Sequence, residues 1–507
     1  MIQVINNIFK AHLKKYQEEL LTFGTNAIPI QKKVLLQILH DQQQSQIGQQ
    51  YDFAALRSYE AFRQRLPVVR YDDIEPQIQQ ILQGKEDILT TSKIKWMAKT
   101  AGTTSGQSKF IPITRENIVE CHQKASWYIL STLYAHREDL QIFAKRNMLF
   151  GGGIYGLYPG SSIPVADISA IMIQSIPYFM RPFYIPSVKI ATLPNWEEKV
   201  ERIAQIVAKE DSLTMLGGVP TWNLTLYRRV LELTGADHLL EVWPNIQAYV
   251  NGGVSLNPYK KQFREILPSD DILYINVYNA SEGFFAVQTD LADEGLTLLL
   301  NHGMFFEFIP FEQFKKGHLA AIDLSEVQIG RDYAIVITNN SGLYRYIVGD
   351  VVTFTSVQPF KIKIKGRTQE YINAFGEDLL RDNVEKALVK TCQQFAAVVK
   401  DYTIAPYYIQ IKEKGRHQWF IEFEKAPNDP VAFAKKLDEA LQQENSNYQQ
   451  KRTNDFAITQ LEVIPLPEGF FLQWLKQKGK FGGQNKVPKL ANHRRFAEEI
   501  LAAVAEH

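Results

Sequence analysis

Three apolar runs in the middle of the chain each stop at a glycine-rich or polar turn, and this pattern limits the fold more than any other feature. Residues 213–216 read as a strand ahead of Gly217 and Gly218, with a helix beginning near Pro220. Residues 248–250 read as a strand ahead of Asn251, Gly252 and Gly253, and 272–278 as a strand ahead of Asn279, Ala280, Ser281 and Glu282. Strands that alternate with helices and end in such turns predict an α/β layer with ligands at the strand ends. At 507 residues the chain exceeds what one core holds, so at least two domains are expected.

The pattern differs on either side of this layer. Ile5, Ile8, Phe9, Leu13, Tyr16 and Leu20 recur at helical spacing near the N-terminus. Residues 117–133 read as a helix with Ile118, Cys121, Ala125, Tyr128 and Ile129 along one face. From about 296 to 365, short strands and turns take over. Residues 296–300 and 304–309 flank Asn301, His302 and Gly303, and 334–338 and 343–348 flank 339–342; both are hairpin signals, which puts His302 at a surface turn. After Gly366 and Arg367 the pattern resets: a helix over 383–399, strands at 407–411 and 419–423, a helix over 431–443, a strand at 458–464 and a last helix over 494–505. The expected division is a large N-terminal domain, 1–365, and a small α+β C-terminal domain, 366–507.

Charge narrows the partners. Lys and Arg number 56 against 55 Asp and Glu, so neither nucleic acid nor an anionic membrane has an electrostatic claim on the chain. Cys121 and Cys392 lie far apart, without zinc-ligand spacing, and a reducing cytoplasm is expected. Lys10, Lys14 and Lys15 interrupt the N-terminal apolar stretch, which argues against a signal peptide, and no apolar run is long enough to cross a bilayer. A monomer is the default expectation.

Five short segments carry residues suited to chemistry. In 100–109, glycines let backbone N–H groups converge on an anion; Thr103, Thr104 and Ser105, around Gly106, add hydroxyl donors and Lys109 adds charge. This suits a triphosphate, although the spacing is not that of a Walker A loop and the same composition describes many surface loops. Tyr278 offers a ring for a base, and Glu282 an oxygen ligand for Mg²⁺. Asp350, after Gly349, offers a carboxylate for ribose hydroxyls. Gly366 and Arg367 read as a hinge that also touches nucleotide, and Lys486 as a lysine on a loop that swings over developing negative charge. Taken singly, each of these last four also fits an ordinary turn, linker or surface loop. Residues 150–155 read as a close-packed turn or the border of a pocket, and the aromatic stretch 177–186 as core or pocket wall.

The order of the segments is more informative than any one of them. A Gly/Thr/Ser–Lys loop, a Tyr-x-x-Ser-Glu turn, a Gly-Asp strand, a Gly-Arg junction and a C-terminal lysine loop follow one another as in the adenylate-forming superfamily. More narrowly, residues 100–109, 250–255, 278–282, 342–352 and 483–489 resemble the GH3 family of acyl acid amido synthetases. The resemblance implies an α/β fold: a large adenylating domain with α/β layers and a β-barrel-like subdomain, plus a small mobile α+β domain. It implies ATP and Mg²⁺ as cofactors, with a carboxylic acid and an amine, such as an amino acid, as small-molecule partners. Thr103, Thr104, Ser105, Gly106 and Lys109 would then handle the phosphates. Asn251, Gly252 and Gly253 would lie beside the adenine, with Tyr278 and Ser281 near it. Glu282 would hold Mg²⁺, Asp350 the ribose and Arg367 the hinge side of the nucleotide, while Lys486 would reach the site during adenylation.

Two positions depart from the family pattern. Ile347 stands where arginine is usual, with Arg345 two residues earlier and, on an alternating strand, on the same face. Lys489 stands where arginine often follows proline. The alternatives to an amido synthetase are an acyl-CoA or other thioester-forming ligase, or a catalytically weak nucleotide-binding protein.

Overall fold

The computed structural model describes residues 2–100, 109–253, 256, 259–368, 371–377, 379–410, 413–455, 457–477 and 489–505. Its α/β layer forms as the strand–turn pattern predicts. Leu213–Gly218 and Ala248–Asn251 are parallel neighbours, flanked by Arg146–Leu149 and Leu273–Ala280. Helix Pro220–Thr234 follows the first, with proline in its opening turn and Gly235 closing it at φ 70°; a proline has the helical φ pre-set and a glycine accepts the left-handed cap. Helix Trp196–Val207 packs beside it, burying Trp196, Val200, Ile203 and Val207 at helical spacing.

These parallel strands are half of an 11-stranded sheet. The other half is antiparallel and continues from Leu273–Ala280 through Gly283–Val287, Leu296–Leu298, Phe360–Arg367 and Tyr346–Val357 to Asp332–Asn339 and Met304–Pro310. It curls strongly. Tyr278 and Asp350 stand on strands four steps apart, about 19 Å in a flat sheet, yet they hydrogen-bond at 2.5 Å. The barrel-like shape thus arises inside one continuous sheet, around Phe285, Phe306, Phe308, Tyr333 and Phe354.

Two expectations change here. The strand ending at Ala280 is not followed by a helix but turns back at once, with Ala280 opposite Gly283. A side chain at Gly283 would meet Met304 Cε at 1.9 Å, so any larger residue there would have to displace the buried tip of Met304. The hairpin around Asn339–Gly342 forms, with Val336 opposite Ile347, but the one around Asn301–Gly303 does not. Leu296–Leu298 pairs with Gly283–Val287 and Phe360–Arg367 instead, and Met304–Pro310 pairs with Asp332–Asn339 over its whole length. Six consecutive residues of that strand are buried although it stands at the edge of the sheet, so it is a covered edge strand rather than one arm of an exposed turn. His302 is accordingly 1% exposed, its Nε2 donating to Phe284 O at 2.6 Å.

A four-stranded sheet lies alongside, in the order Lys109–Thr114, Ile94–Thr100, Pro164–Ala166 and Ile154–Leu157. The first two are antiparallel, with Thr100 opposite Lys109, so both ends of the Gly/Thr/Ser segment are fixed side by side. Toward the C-terminus, Val398–Tyr407, Arg416–Lys425 and Glu462–Leu466 form a three-stranded sheet covered by Arg381–Phe395 and Pro430–Glu444. The first helix stops earlier than expected because Ala396 takes φ 47°. The strand then begins at Val398, where Lys400 and Asp401 had masked it. Among the described residues no helix is long and apolar enough to cross a membrane.

Candidate active site

A cleft of about 530 Å³ opens at the C-terminal ends of the parallel strands. Gly217, Gly218, Gly252, Gly253, Ser281 and Glu282 all line it, so all three strand-end turns converge on one place. Gly253 stands at φ 84°, and a side chain at Gly252 would come within 3.0 Å of Asn279 Oδ1. The Asn251 side chain turns aside and donates to Asn276 Oδ1 at 2.8 Å.

Arg367 and Glu282 line the cleft, and behind them lie further polar side chains that do not reach its wall. Asp350 and Arg367 are cross-strand partners, and Arg367 Nε donates to Asp350 Oδ1 at 3.1 Å. Tyr278 donates its hydroxyl to the other carboxylate oxygen and stacks on Phe285 at 4.5 Å. Burial and the Asp350 charge keep that hydroxyl protonated. Arg367 reaches the cleft wall itself, within the strand Phe360–Arg367 rather than beyond it, which moves the end of that strand two residues past the sequence estimate.

Glu282 lies in the tight turn after Ala280 and is buried; burial raises the pKa of its carboxyl, opposed first by Lys109 and then by Arg367. Lys109 is pushed the other way by the same burial, with Glu282 opposing. A cation or phosphate entering here would meet groups that have lost most of their water, where charge interactions are strong. Thr100 lines the cleft directly ahead of the Gly/Thr/Ser segment. Thr103, Thr104, Ser105, Gly106 and Lys486 lie outside the described residues.

The far end of the cleft is apolar and was not assembled from sequence. Trp127, Leu130, Met172, Ile176, Met180 and Tyr184 face it. They come from helix Lys124–His136, helix Ile168–Gln174 and the aromatic stretch after it. Phe150 and Gly151 border the cleft as well, so both sequence segments left open between core and pocket contribute to its wall. A third side is closed from the C-terminal part by Asn373, Gly376, Gln450 and Lys451. Lys451 Nζ lies 4.7 Å from the Trp196 ring and 4.2 Å from that of Trp222.

Arg345 does not stand in for Ile347. Its backbone takes φ 47° ahead of the strand, which ends the alternation assumed from sequence. Its guanidinium is consumed by Glu307 at 2.8 Å and by the carbonyls of Arg63 and Leu66. Ile347 is buried among Ile309, Phe314, Ala334 and Val336.

The sequence matches the GH3 family N-terminal domain over residues 16–184 and 159–272, the central domain over 297–367 and the C-terminal domain over 382–495. The chain belongs to the GH3 family. Among curated relatives, the indole-3-acetic acid-amido synthetase GH3.3 of Arabidopsis thaliana is 24% identical, across 94% of this chain and 91% of that protein. The jasmonoyl–L-amino acid synthetase JAR4 of Nicotiana attenuata is 25% identical across 69% and 71%. Among solved structures, the AtGH3.15 acyl acid amido synthetase in complex with 2,4-DB superposes with a TM-score of 0.63 at 20% identity, over 97% of this chain and 96% of that one. A 2-hydroxyisobutyryl-CoA ligase superposes with a TM-score of 0.55 at 14% identity, over 95% and 92%. These superpositions show that the GH3 chain shares the fold of those two proteins.

Proposed function

We propose that this GH3 protein is an ATP-dependent acyl acid amido synthetase for an apolar carboxylic acid. The observation that carries the reading is the joining of two unlike walls in one cleft: Arg367 and Glu282, backed by Asp350, Tyr278 and Lys109, and a wall of apolar side chains. The carboxylate oxygen of the acid attacks the α-phosphorus of ATP; a P–O bond forms, the bond to pyrophosphate breaks, and an acyl-adenylate results. An amine, here that of an amino acid, then attacks the acyl carbon and AMP leaves with the electron pair. Asp350 accepts ribose hydroxyls, Arg367 and Tyr278 hold Asp350 in place, and Lys109 with the preceding Thr103, Thr104 and Ser105 offsets phosphate charge.

Mg²⁺ fits the donor chemistry of this site. Among the described residues no cluster of three or more His, Cys, Asp and Glu side chains could hold a metal unaided. An ion here would rest on Glu282 together with phosphate oxygens, the arrangement that hard oxygen-seeking Mg²⁺ favours. Bound there, it would supply positive charge beside the phosphates. The body from 366 onward turns about the end of the Phe360–Arg367 strand, which brings Lys486 to the site for the first step.

The test is pyrophosphate release from ATP and Mg²⁺ against a panel of carboxylic acids, each alone, with mixed amino acids and with CoA. Release that needs an acid, and rises with amino acids but not with CoA, is the expected result. Stimulation by CoA alone would make the protein a thioester ligase. ATP binding without release for any acid would make it a nucleotide binder.

A further inference from the structure

One polar side chain interrupts the apolar end of the cleft. His122 lines it, is 2% exposed, and has a buried Nε2 without a hydrogen-bond partner. It lies near the end of Asn117–Gln123, a π-helical stretch that runs into the helix Lys124–His136. Such stretches add a residue to the turn and recur at functional sites. The polar neighbours on the same turn are already engaged: Gln123 Nε2 donates to Ser175 O at 2.9 Å and Ser126 Oγ to His122 O at 3.1 Å. Around them stand Trp127, Leu130, Met172 and Ile176.

A buried imidazole without a partner is costly unless something else in the working enzyme completes it. Burial lowers its pKa to about 3, and His302 nearby adds to the effect. The ring therefore stays neutral at any working pH. A neutral imidazole offers one donor and one acceptor and no charge, which makes it a poor partner for the reacting carboxylate and a good one for an uncharged polar group. His302 is neutral for the same reason, its pKa lowered to about 4, and Lys124 contributes. Among the described residues the one charge that acts on His122 is that of His302, which lowers its pKa further.

We infer that His122 reads a hydroxyl, carbonyl or ring N–H on the otherwise apolar body of the acid, so that the acids this enzyme activates carry one such group away from the carboxylate. The inference rests on the proposed amido synthetase reading and narrows its substrate class. A site built to bond a polar group rejects the analogue that lacks it far more strongly than an apolar wall rejects a missing methylene. His122 is thus a selector, and the surrounding apolar wall supplies affinity.

The experiment takes every acid found active in pyrophosphate release and pairs it with the analogue in which the polar substituent is replaced by hydrogen or the N–H by CH=CH. Indole-3-acetate with naphthalene-1-acetate, and hydroxyphenylacetates with phenylacetate, are the starting pairs. The wild-type protein is expected to favour the substituted member in kcat/KM by about tenfold or more. In His122→Leu that ratio is expected to fall to within about threefold of one, while His122→Gln keeps much of it. ATP-dependent thermal stabilisation reports whether each variant is folded. Active acids without any such substituent, a wild-type ratio near one, a ratio unmoved in a folded His122→Leu, or a ratio lost in His122→Gln as fully as in a leucine variant would each overturn the inference and leave amide synthesis standing. Release with no acid at all would remove amide synthesis itself, and this inference with it.

Discussion

At the scale of single residues, Arg345 and Ile347 separate what a sequence pattern suggests from what packing allows. Two residues apart on a strand, they read as neighbours on one face; the left-handed backbone at Arg345 sends its guanidinium into the interior instead, against Glu307. Both partners of that pair are almost wholly buried, at 6% and 0% side-chain exposure. Removing one partner of a buried pair leaves an uncompensated charge, which costs about 3–5 kcal/mol. Arg345→Ala is expected to lose stability of that order in urea denaturation, with the KM for ATP of the folded protein unmoved. Unchanged stability with a raised KM would return Arg345 to the nucleotide. Asp350, Glu282 and Arg367 could be singled out in the sequence because polar residues after glycines or tight turns keep their neighbours in sequence, and the fold brings the three together. His122 was not visible, because its surroundings come from helices and turns spread between residues 122 and 284.

At the scale of elements, the parallel strands and the hairpin around Asn339–Gly342 were legible, and the pairing of the other antiparallel strands was not. Apolar runs ending in glycine fix the direction and the ligand end of a strand. Whether two such runs pair with each other depends on partners distant in sequence, as Leu296–Leu298 and Met304–Pro310 demonstrate. The contact of helix Trp196–Val207 with the Gly151 turn was hidden in the same way. Lys199 looks like a surface lysine in sequence, yet it is 1% exposed and donates to Gly151 O at 2.9 Å and Gly152 O at 2.8 Å. Burial lowers its pKa from 10.5 to about 7, with Asp167 opposing and Lys451 reinforcing the shift. Between about pH 7 and 10.5 the unfolded chain therefore binds more protons at this lysine than the folded one, and its contribution to stability improves as pH rises through that window. Denaturation of the wild type and Lys199→Met across this range should show the wild type gaining on the variant toward alkaline pH. Parallel curves would mean that Lys199 stays charged in the fold.

At the scale of the whole molecule, the C-terminal part shares a buried apolar cluster with the α/β layer, where Ile372, Phe375 and Ile409 join Leu224, Tyr259 and Phe263, and polar contacts are added beside the cleft. Lys451 lies against Trp196 and Trp222, and Asn454 Nδ2 donates to both carboxylate oxygens of Glu197, at 2.8 and 3.0 Å. The arrangement puts Asn373, Gly376 and Lys451 beside the cleft, which suits the amine-transfer step. Under the proposed function Lys486 would serve the first step and Lys451 the second. Lys486→Ala should cut acid-dependent pyrophosphate release by about 10²-fold, the usual effect of losing one donor aimed at developing charge, with little change in ATP binding. Lys451→Ala should slow amide formation from a preformed acyl-adenylate more than it slows pyrophosphate release. Single-turnover measurements of the two half-reactions separate these outcomes. Equal losses in both half-reactions for both variants would mean that one arrangement of the two bodies carries the entire reaction.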